Sequence, residues 1–491
     1  MSTIPDLRPV RPQVDLVAGQ WQEPAIVLGT LADPNTGAAL GPQLGTSAEQ
    51  VEQVLTAADA LHRTGELARQ PLDVRAALLE DIAAGLTMRA DDLAYEDAMS
   101  TGNAIRVARS MAGYIGPRVL GSLAQLRQIG EAEVLDADRG VTLLRRPVGP
   151  AVVLAPWNAP TFVAVAKLSS ALAAGCPVIL KPSEWAPGGC QIVAEVIHDA
   201  VARQGLPAAT FQLVHGGAAV GSQLAADPRV RAISFTGGAP AGRAVAAAAA
   251  PHFTSLQLEL GGHNPAVVLE DADIELTAAA LVDGMTKLNG QWCEAPGKVL
   301  VPASKHDELV EALVRHLGEQ TVGHCLDEET DVGPLAYELH RSRLQDEVDR
   351  LVEAGGTLLT AGSVPGLNGW FFAPSVIVGL PAAASAHELF GPAITVHAVG
   401  SIDEALQAAD GPETGLAGFV FGTDTDAALD VAARIPAGEI RVNGCKLADL
   451  ADGSEQSFWN NAGIGGHGPT DMVRFFQGRR TIGIDDPTLP V

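Results

Sequence analysis

The chain has 491 residues, of which 47% are hydrophobic and 18% charged, and its formal net charge is −26. That length exceeds one ordinary core and implies two or three domains, and the composition excludes an extended disordered chain. So acidic a surface repels phosphate, which argues against nucleic acid and membrane as partners, and no apolar run approaches the length of a membrane span.

Met1-Ser2-Thr3-Ile4-Pro5-Asp6 lacks the apolar core of a secretory signal. Asp33-Pro34-Asn35-Thr36-Gly37 reads as a turn. Helices are predicted over 49–115, where Val51, Val54, Leu55 and Ala58, then Leu78, Leu79, Ile82 and Leu86, recur at helical spacing. From residue 150 onward short apolar runs alternate with longer helical stretches. Strands are predicted at 152–154, 178–180, 211–214, 232–235 and 256–258, and helices over 161–174, 188–203, 217–226 and 239–249. This alternation predicts a parallel sheet covered on both faces. A second alternating series runs from 264 to 443, with strands at 266–269, 299–301 and 418–421. Two α/β domains in tandem are expected, with the active site between them where strand ends converge.

Cys176, Cys190, Cys293, Cys325 and Cys445 are sparse, odd in number and without CxxC spacing. They suggest a reducing compartment and no structural zinc, and a cytoplasmic location is expected. The histidines are scattered, with no HExxH, so no metal site is expected.

Five segments carry chemistry. Gly290-Gln291-Trp292-Cys293 presents a cysteine in a glycine-punctuated loop, and Glu259 lies in Leu258-Glu259-Leu260-Gly261-Gly262. A thiol attacks a carbonyl as thiolate, and a nearby carboxylate can activate water, which together suit catalysis through a thioester. A buried structural cysteine fits the same local sequence. Phe235-Thr236-Gly237-Gly238-Ala239-Pro240-Ala241-Gly242 follows a strand and opens a helix. Such a junction receives phosphate on backbone N–H groups, or is a plain turn. In Lys181-Pro182-Ser183-Glu184 the lysine suits ribose or phosphate oxygens and the glutamate a ribose 2′-hydroxyl, unless the two form a solvated salt bridge. In Pro156-Trp157-Asn158-Ala159-Pro160 the asparagine is stiffly placed between prolines, to donate to an oxyanion or to cap a turn.

Together with Glu388-Leu389-Phe390-Gly391-Pro392, these segments occur in an order that resembles the aldehyde dehydrogenase superfamily over nearly the whole chain. The resemblance implies an α/β fold with a Rossmann-like NAD-binding domain (1–125 and 148–258), an α/β catalytic domain (259–455) and a small β bridging or oligomerisation segment (126–147 and 470–491). It implies NAD as cofactor, a small-molecule aldehyde as substrate, and a homodimer or homotetramer. Cys293 matches the family nucleophile, Glu259 the base that activates water, and Asn158 the oxyanion donor beside the backbone N–H of Cys293. Lys167 matches a lysine associated with proton relay. Lys181 and Glu184 match adenosine-ribose contacts, Trp157 lines the cofactor site, Gly237 and Gly238 lie at the pyrophosphate, and Glu388 and Phe390 match nicotinamide-ribose contacts.

The chain also departs from the family pattern. Gly238 stands in place of serine and His263 in place of lysine, and Glu294 follows the nucleophile, where it is expected to point away. The run Ser457–His467 is about two residues shorter than its family counterpart, and His467 falls near the glutamate that partners the relay lysine. Ala159 stands where many members carry a bulky residue. With Trp292, Phe458 and Trp459 as walls, a hydrophobic aldehyde, aromatic or long-chain, is expected as substrate. The expected reaction is NAD-dependent oxidation to the carboxylic acid through a Cys293 thiohemiacetal and thioester. The alternatives are a CoA-acylating semialdehyde dehydrogenase, whose relatives generally lack the carboxylate at Glu259, and a catalytically silent binding relative, which would be favoured by loss of the Cys, Asn or Glu.

Overall fold

The computed structural model describes residues 7–488; Met1–Asp6, read above as lacking a signal core, lies outside the described residues. The helical region resolves into Ala48–Thr64, Leu72–Met88, Ala90–Thr101 and Ile105–Ile129. The first of these starts on a capping box in which Ser47 and Gln50 each accept the other's backbone N–H, and it stops at Gly65 in the left-handed region. The last continues to Ile129, beyond the boundary expected at 126.

Five parallel strands form the centre of an eight-stranded sheet, in the order Phe211–Leu213, Val178–Lys181, Ala151–Leu154, Ala232–Gly237, Ser255–Leu260. Ala151–Leu154 and Val178–Lys181 are buried along their whole length, as strands covered on both faces must be. Chain order reverses between Ala151–Leu154 and Ala232–Gly237, so a crevice opens beyond the carboxyl ends of these two strands. The last two strands are longer than their apolar runs. Their ladder pairs Thr236 with Glu259 and Gly237 with Leu260, so residues of two motifs are strand ends rather than loops. Gly463–Ile464 closes this edge, antiparallel to Ser255–Leu260, with Gly463 opposite Glu259.

The second sheet runs Thr357–Thr360, Ser375–Val378, Ala393–Val399, Pro296–Pro302, Asn264–Val268, Ala417–Phe421, Glu439–Val442. Only its first pair is antiparallel. Cys293 precedes Pro296–Pro302 and Asn264 opens Asn264–Val268. The second sheet thus contributes the amino ends of its strands, facing the carboxyl ends of the first. A three-stranded antiparallel sheet joins Ala132–Asp136, Val141–Pro147 and Gln477–Ile482. Among the described residues no helix is long and apolar enough to cross a membrane.

Candidate active site

Glu259 sits near the buried carboxyl end of Ser255–Leu260, and its two oxygens have different surroundings. Oε2 accepts the Thr236 hydroxyl at 2.9 Å and lies 3.1 Å from His467 Nε2 and 3.8 Å from Lys167 Nζ. Oε1 accepts the Cys293 thiol at 3.4 Å. Burial works to raise the carboxyl's pKa, but His467, Lys167 and Thr236 outweigh it and hold the group well below the usual carboxylate range. Lys167, sealed inside Pro160–Ala174, also donates to the Phe235 carbonyl at 3.3 Å. Burial brings its pKa down to about 8 against the pull of Glu259.

Cys293 is presented by a turn in which Leu288, Asn289 and Gly290 all have positive φ (50°, 57° and 71°). At Gly290 a side chain is impossible, because an added Cβ would collide with the backbone of Gly391. Buried amides hold this loop from three sides. Asn264 Nδ2 donates to the carbonyls of Cys293 (2.9 Å) and Ala295 (2.8 Å). Gln291 Nε2 donates to the Thr101 carbonyl, and Asn289 Nδ2 to those of Gly102 and Pro334. Burial, then the charges of Glu259 and Glu294, push the Cys293 thiol well above its usual range. The Glu294 carboxylate itself accepts from Gln456 Nε2 at 2.9 Å rather than turning onto the sulfur. Of the five free thiols, the other four are buried.

Asn158 follows Ala151–Leu154 and donates one amide hydrogen to the Gln291 carbonyl at 2.9 Å, two residues before Cys293. Among the described residues its second amide hydrogen has no partner. Ala159, Leu288 and Trp292 form a buried apolar group with Phe162, Val163 and Cys293 packed against it. Phe458 packs on the other side of Cys293 with Leu416 and Ala462. Trp459, expected as another wall, stands 47% exposed, outside both groups. The backbone there is extended, so neighbours at 458 and 459 face opposite ways. A cavity of about 610 Å³ lies alongside, with Val107, Met111 and Lys287 in its lining.

The crevice at the strand-order reversal gathers the remaining predicted residues. The helix Ala239–Ala249 starts at Gly238 with no side-chain cap, which leaves its first N–H groups for an anion. Lys181 Nζ and Glu184 Oε2 are 3.9 Å apart at the end of Val178–Lys181. Trp157 meets Phe390 edge to face at 5.5 Å, and Glu388 approaches Gly261 so closely that a Cβ there would strike its carboxylate. Burial pushes Glu388 up to about 8. Gly237 closes its strand against the Phe235 ring.

Sequence reasoning missed Thr236 as a Glu259 partner and Asn264 and Gln291 as supports, because each depends on register or on contacts between distant segments. It also missed Tyr337 and His340, which surround Trp157 at 5.3 and 4.8 Å. His263, read as a departure, bonds Ser385 at 3.0 Å, and burial takes its pKa down to about 3, so it is a neutral packing residue. Among the described residues no group of three or more His, Cys, Asp or Glu is placed to hold a metal ion.

Residues 29–482 match the model of the aldehyde dehydrogenase family. Among curated proteins, the chain is 32% identical over 438 residues to geranial dehydrogenase of Castellaniella defragrans, covering 87% of this chain and 90% of that protein. Among solved structures it is similar to a mutant of aldehyde dehydrogenase C from Pseudomonas syringae in complex with NAD+ and octanal, with TM-score 0.90, 29% identity, and coverage of 98% and 99%. It is also similar to betaine aldehyde dehydrogenase from Staphylococcus aureus in complex with NAD+, with TM-score 0.91, 27% identity, and coverage of 98% and 96%.

Proposed function

The chain belongs to the aldehyde dehydrogenase family, and on that premise we propose that it oxidises an aldehyde to its carboxylic acid with NAD, through a thiohemiacetal and then a thioester on Cys293. The observation that carries the reading is the thiol seated 3.4 Å from a carboxylate whose other oxygen is fully engaged. Burial keeps the resting thiol protonated, so attack on the carbonyl carbon requires Glu259 Oε1 to take the proton as the C–S bond forms. The free N–H of Asn158 and the backbone N–H of Cys293 receive the oxyanion. NAD, when bound, accepts the hydride. Lys181 and Glu184 would hold the adenosine ribose, the uncapped turn at Gly237-Gly238 the pyrophosphate, and Trp157, Glu388 and Phe390 the nicotinamide ribose. Glu184 would favour NAD over NADP. In the second half, Glu259, having released the thiol's proton to solvent, takes a proton from water as the oxygen bonds to the thioester carbon. The C–S bond then breaks with its electron pair returning to sulfur, which takes back the proton from Glu259. A CoA-acylating enzyme has no use for a water-activating base in this second half.

The apolar groups on both sides of Cys293 favour a hydrophobic aldehyde, aromatic or long-chain. One observation favours a second class. Arg118 lies over the Phe162 ring at 4.4 Å, and among the described residues it makes no hydrogen bond or ion pair. A distal carboxylate on the substrate would supply its partner. A panel of octanal, phenylacetaldehyde, benzaldehyde, acetaldehyde and succinic semialdehyde, scored by kcat/KM for NADH formation, separates the readings. Acetaldehyde in first place, or a ranking unmoved by Ala159→Phe, overturns the hydrophobic pocket. Succinic semialdehyde in first place, lost in Arg118→Met, establishes the second class.

The division into NAD-binding, catalytic and bridging parts, a homodimer or homotetramer, and a cytoplasmic location belong to the same proposal. What supports assembly is the small three-stranded sheet, which leaves Val134, Leu135 and Ile482 more than half exposed. Light scattering of the purified chain tests it, and a monomer would exclude it.

A further inference from the structure

We propose that Glu413 and His340 are positioning residues for hydride transfer, which hold the turn Glu388-Leu389-Phe390 at its two ends and so set where the nicotinamide ribose sits. The inference deepens, and rests on, the reading of Glu388 and Phe390 as nicotinamide-ribose contacts. Residues 386–392 lie in neither helix nor strand, so no ladder of backbone hydrogen bonds fixes them. Phe390 has a φ of 47°, a conformation that a residue with a side chain rarely holds unaided. At the first end, the Glu388 N–H donates to Glu413 Oε2 at 3.2 Å, and Glu413 Oε1 accepts from His387 Nδ1 at 3.0 Å. At the far end, His340 Nε2 donates to the Phe390 carbonyl at 2.9 Å.

Each anchor is itself fastened. Glu413 lies between the helix Ile402–Ala409 and the strand Ala417–Phe421, and its backbone carbonyl accepts the His263 N–H at 2.8 Å. It therefore joins the Glu388 turn to the segment that leaves Glu259, where Gly261 has no room for a side chain beside the Glu388 carboxyl. Burial, then the charge of Glu413, pushes Glu388 up to about 8, so near neutral pH it is largely protonated and the two acids lie together without repulsion. His340 is buried in the helix Glu338–Glu353, with the rings of Trp157 at 4.8 Å and Phe390 at 5.8 Å. Burial takes its pKa down to about 4, so it stays neutral and Nε2 carries its one N–H. Leu389, between the anchored ends, packs in one apolar cluster with Leu335, Leu344 and Phe372. That packing fixes the depth of the turn, whereas the hydrogen bonds at 388 and 390 fix its direction. Hydride transfer is sensitive to direction, because a displacement of about 1 Å can cost about 10²-fold in rate.

The test uses the full enzyme with NAD and octanal. Glu413→Ala and His340→Leu each remove one anchoring hydrogen bond. Each should raise the NAD dissociation constant about three- to tenfold and slow single-turnover hydride transfer at saturating NAD by roughly 10–10²-fold. Glu413→Gln keeps the acceptor, and His340→Gln keeps a donor at the reach of Nε2, so both should restore most of the rate. Alkylation of Cys293 by iodoacetamide without NAD should keep its pace in all four variants, since the Cys293 turn is held by its own amides. Unchanged hydride transfer in Glu413→Ala or in His340→Leu, while Glu388→Ala loses it, would show that the packing of Leu389 holds the turn and would overturn the proposal. So would Gln variants no better than the Ala and Leu ones, or slowed alkylation, which would mark a general loosening of the site. Unchanged NAD affinity and hydride transfer in Glu388→Ala would instead sink the reading of Glu388 as a ribose contact.

Discussion

Cys293 and Glu259 meet in one contact, yet they are held by different chemistry. Around Cys293 the supports are neutral: amides of Asn264, Gln291 and Asn289 donate to backbone carbonyls and are buried, so they hold alike at every pH the fold survives. Around Glu259 the supports are a hydroxyl and two ionisable groups, and one of these reaches solvent. Attack needs a sulfur fixed in place, and neutral hydrogen bonds give fixity without perturbing the thiol's charge. A base must take up and release a proton each cycle, and ionisable neighbours let its affinity vary. The contrast predicts that damage on the two sides shows in different steps.

The largest effect belongs to the sulfur. Cys293→Ala should abolish turnover while NAD affinity, measured by calorimetry, stays near normal, because the proposed cofactor contacts lie on other segments. Substantial turnover, or an acyl adduct on one of the four buried cysteines, would contradict the assignment. Glu259→Gln should slow adduct hydrolysis by roughly 10²–10⁴-fold, the worth of a general base, and leave a visible burst of NADH before the slow phase. Loss of the burst as well would mean that the carboxylate serves chiefly to deprotonate the thiol, and the contrast between the two sides would collapse into a single ionic site.

Two asparagines sharpen the neutral side. Asn158→Ala should slow single-turnover hydride transfer by about 10²–10³-fold, the loss expected for one oxyanion donor, and should lower the melting temperature less than Asn264→Ala does, since it deprives one carbonyl, that of Gln291, rather than two. Asn264→Ala should do both kinds of harm. It leaves the Cys293 and Ala295 carbonyls without their donor in the interior, at a cost of roughly 1–3 kcal/mol, and it loosens the sulfur. Thermal melts with burst rates distinguish the two variants. An Asn264→Ala enzyme with native stability would show that the loop is fixed by packing instead.

The sequence was most legible where chemistry sits on short local motifs. Periodicity located all five central strands of the first sheet, and the Cys293, Asn158 and Glu259 segments stood out by residue type. Register was illegible: nothing local tells that Thr236 lies opposite Glu259, since that pairing depends on two strands meeting in parallel. The strand ends were read short because apolar runs stop before hydrogen bonding does. Asn264 and Gln291 look like ordinary polar residues until the fold brings buried carbonyls to them. Trp459 was misjudged because composition marks an aromatic residue but not which way an extended backbone turns it. His467 was visible as a departure, but its contact with Glu259 required the docking of Gly463–Ile464.

The smallest expected effect lies at the far end of the crevice, where the same contrast recurs. Lys181 is buried, its pKa lowered by that burial, and it donates to the Pro182 carbonyl at 3.0 Å. Glu184 is partly exposed, 3.9 Å from the lysine, and its backbone carbonyl accepts from Gln43 Nε2 at 2.9 Å, so its main chain is anchored while its carboxylate is reachable. A carboxylate in that position can accept the 2′-hydroxyl of an adenosine ribose and repel a 2′-phosphate. NAD should therefore be preferred over NADP. Glu184→Ser should narrow the ratio of kcat/KM values by roughly tenfold, through NADP becoming better rather than NAD becoming much worse. Solvent weakens the repulsion at so exposed a group, which is why the change should be modest and should shrink as salt is raised. Equal kcat/KM for the two cofactors in the unaltered enzyme, or a Glu184→Ser ratio that does not move, would place the ribose elsewhere and leave Glu184 as a surface partner of Lys181.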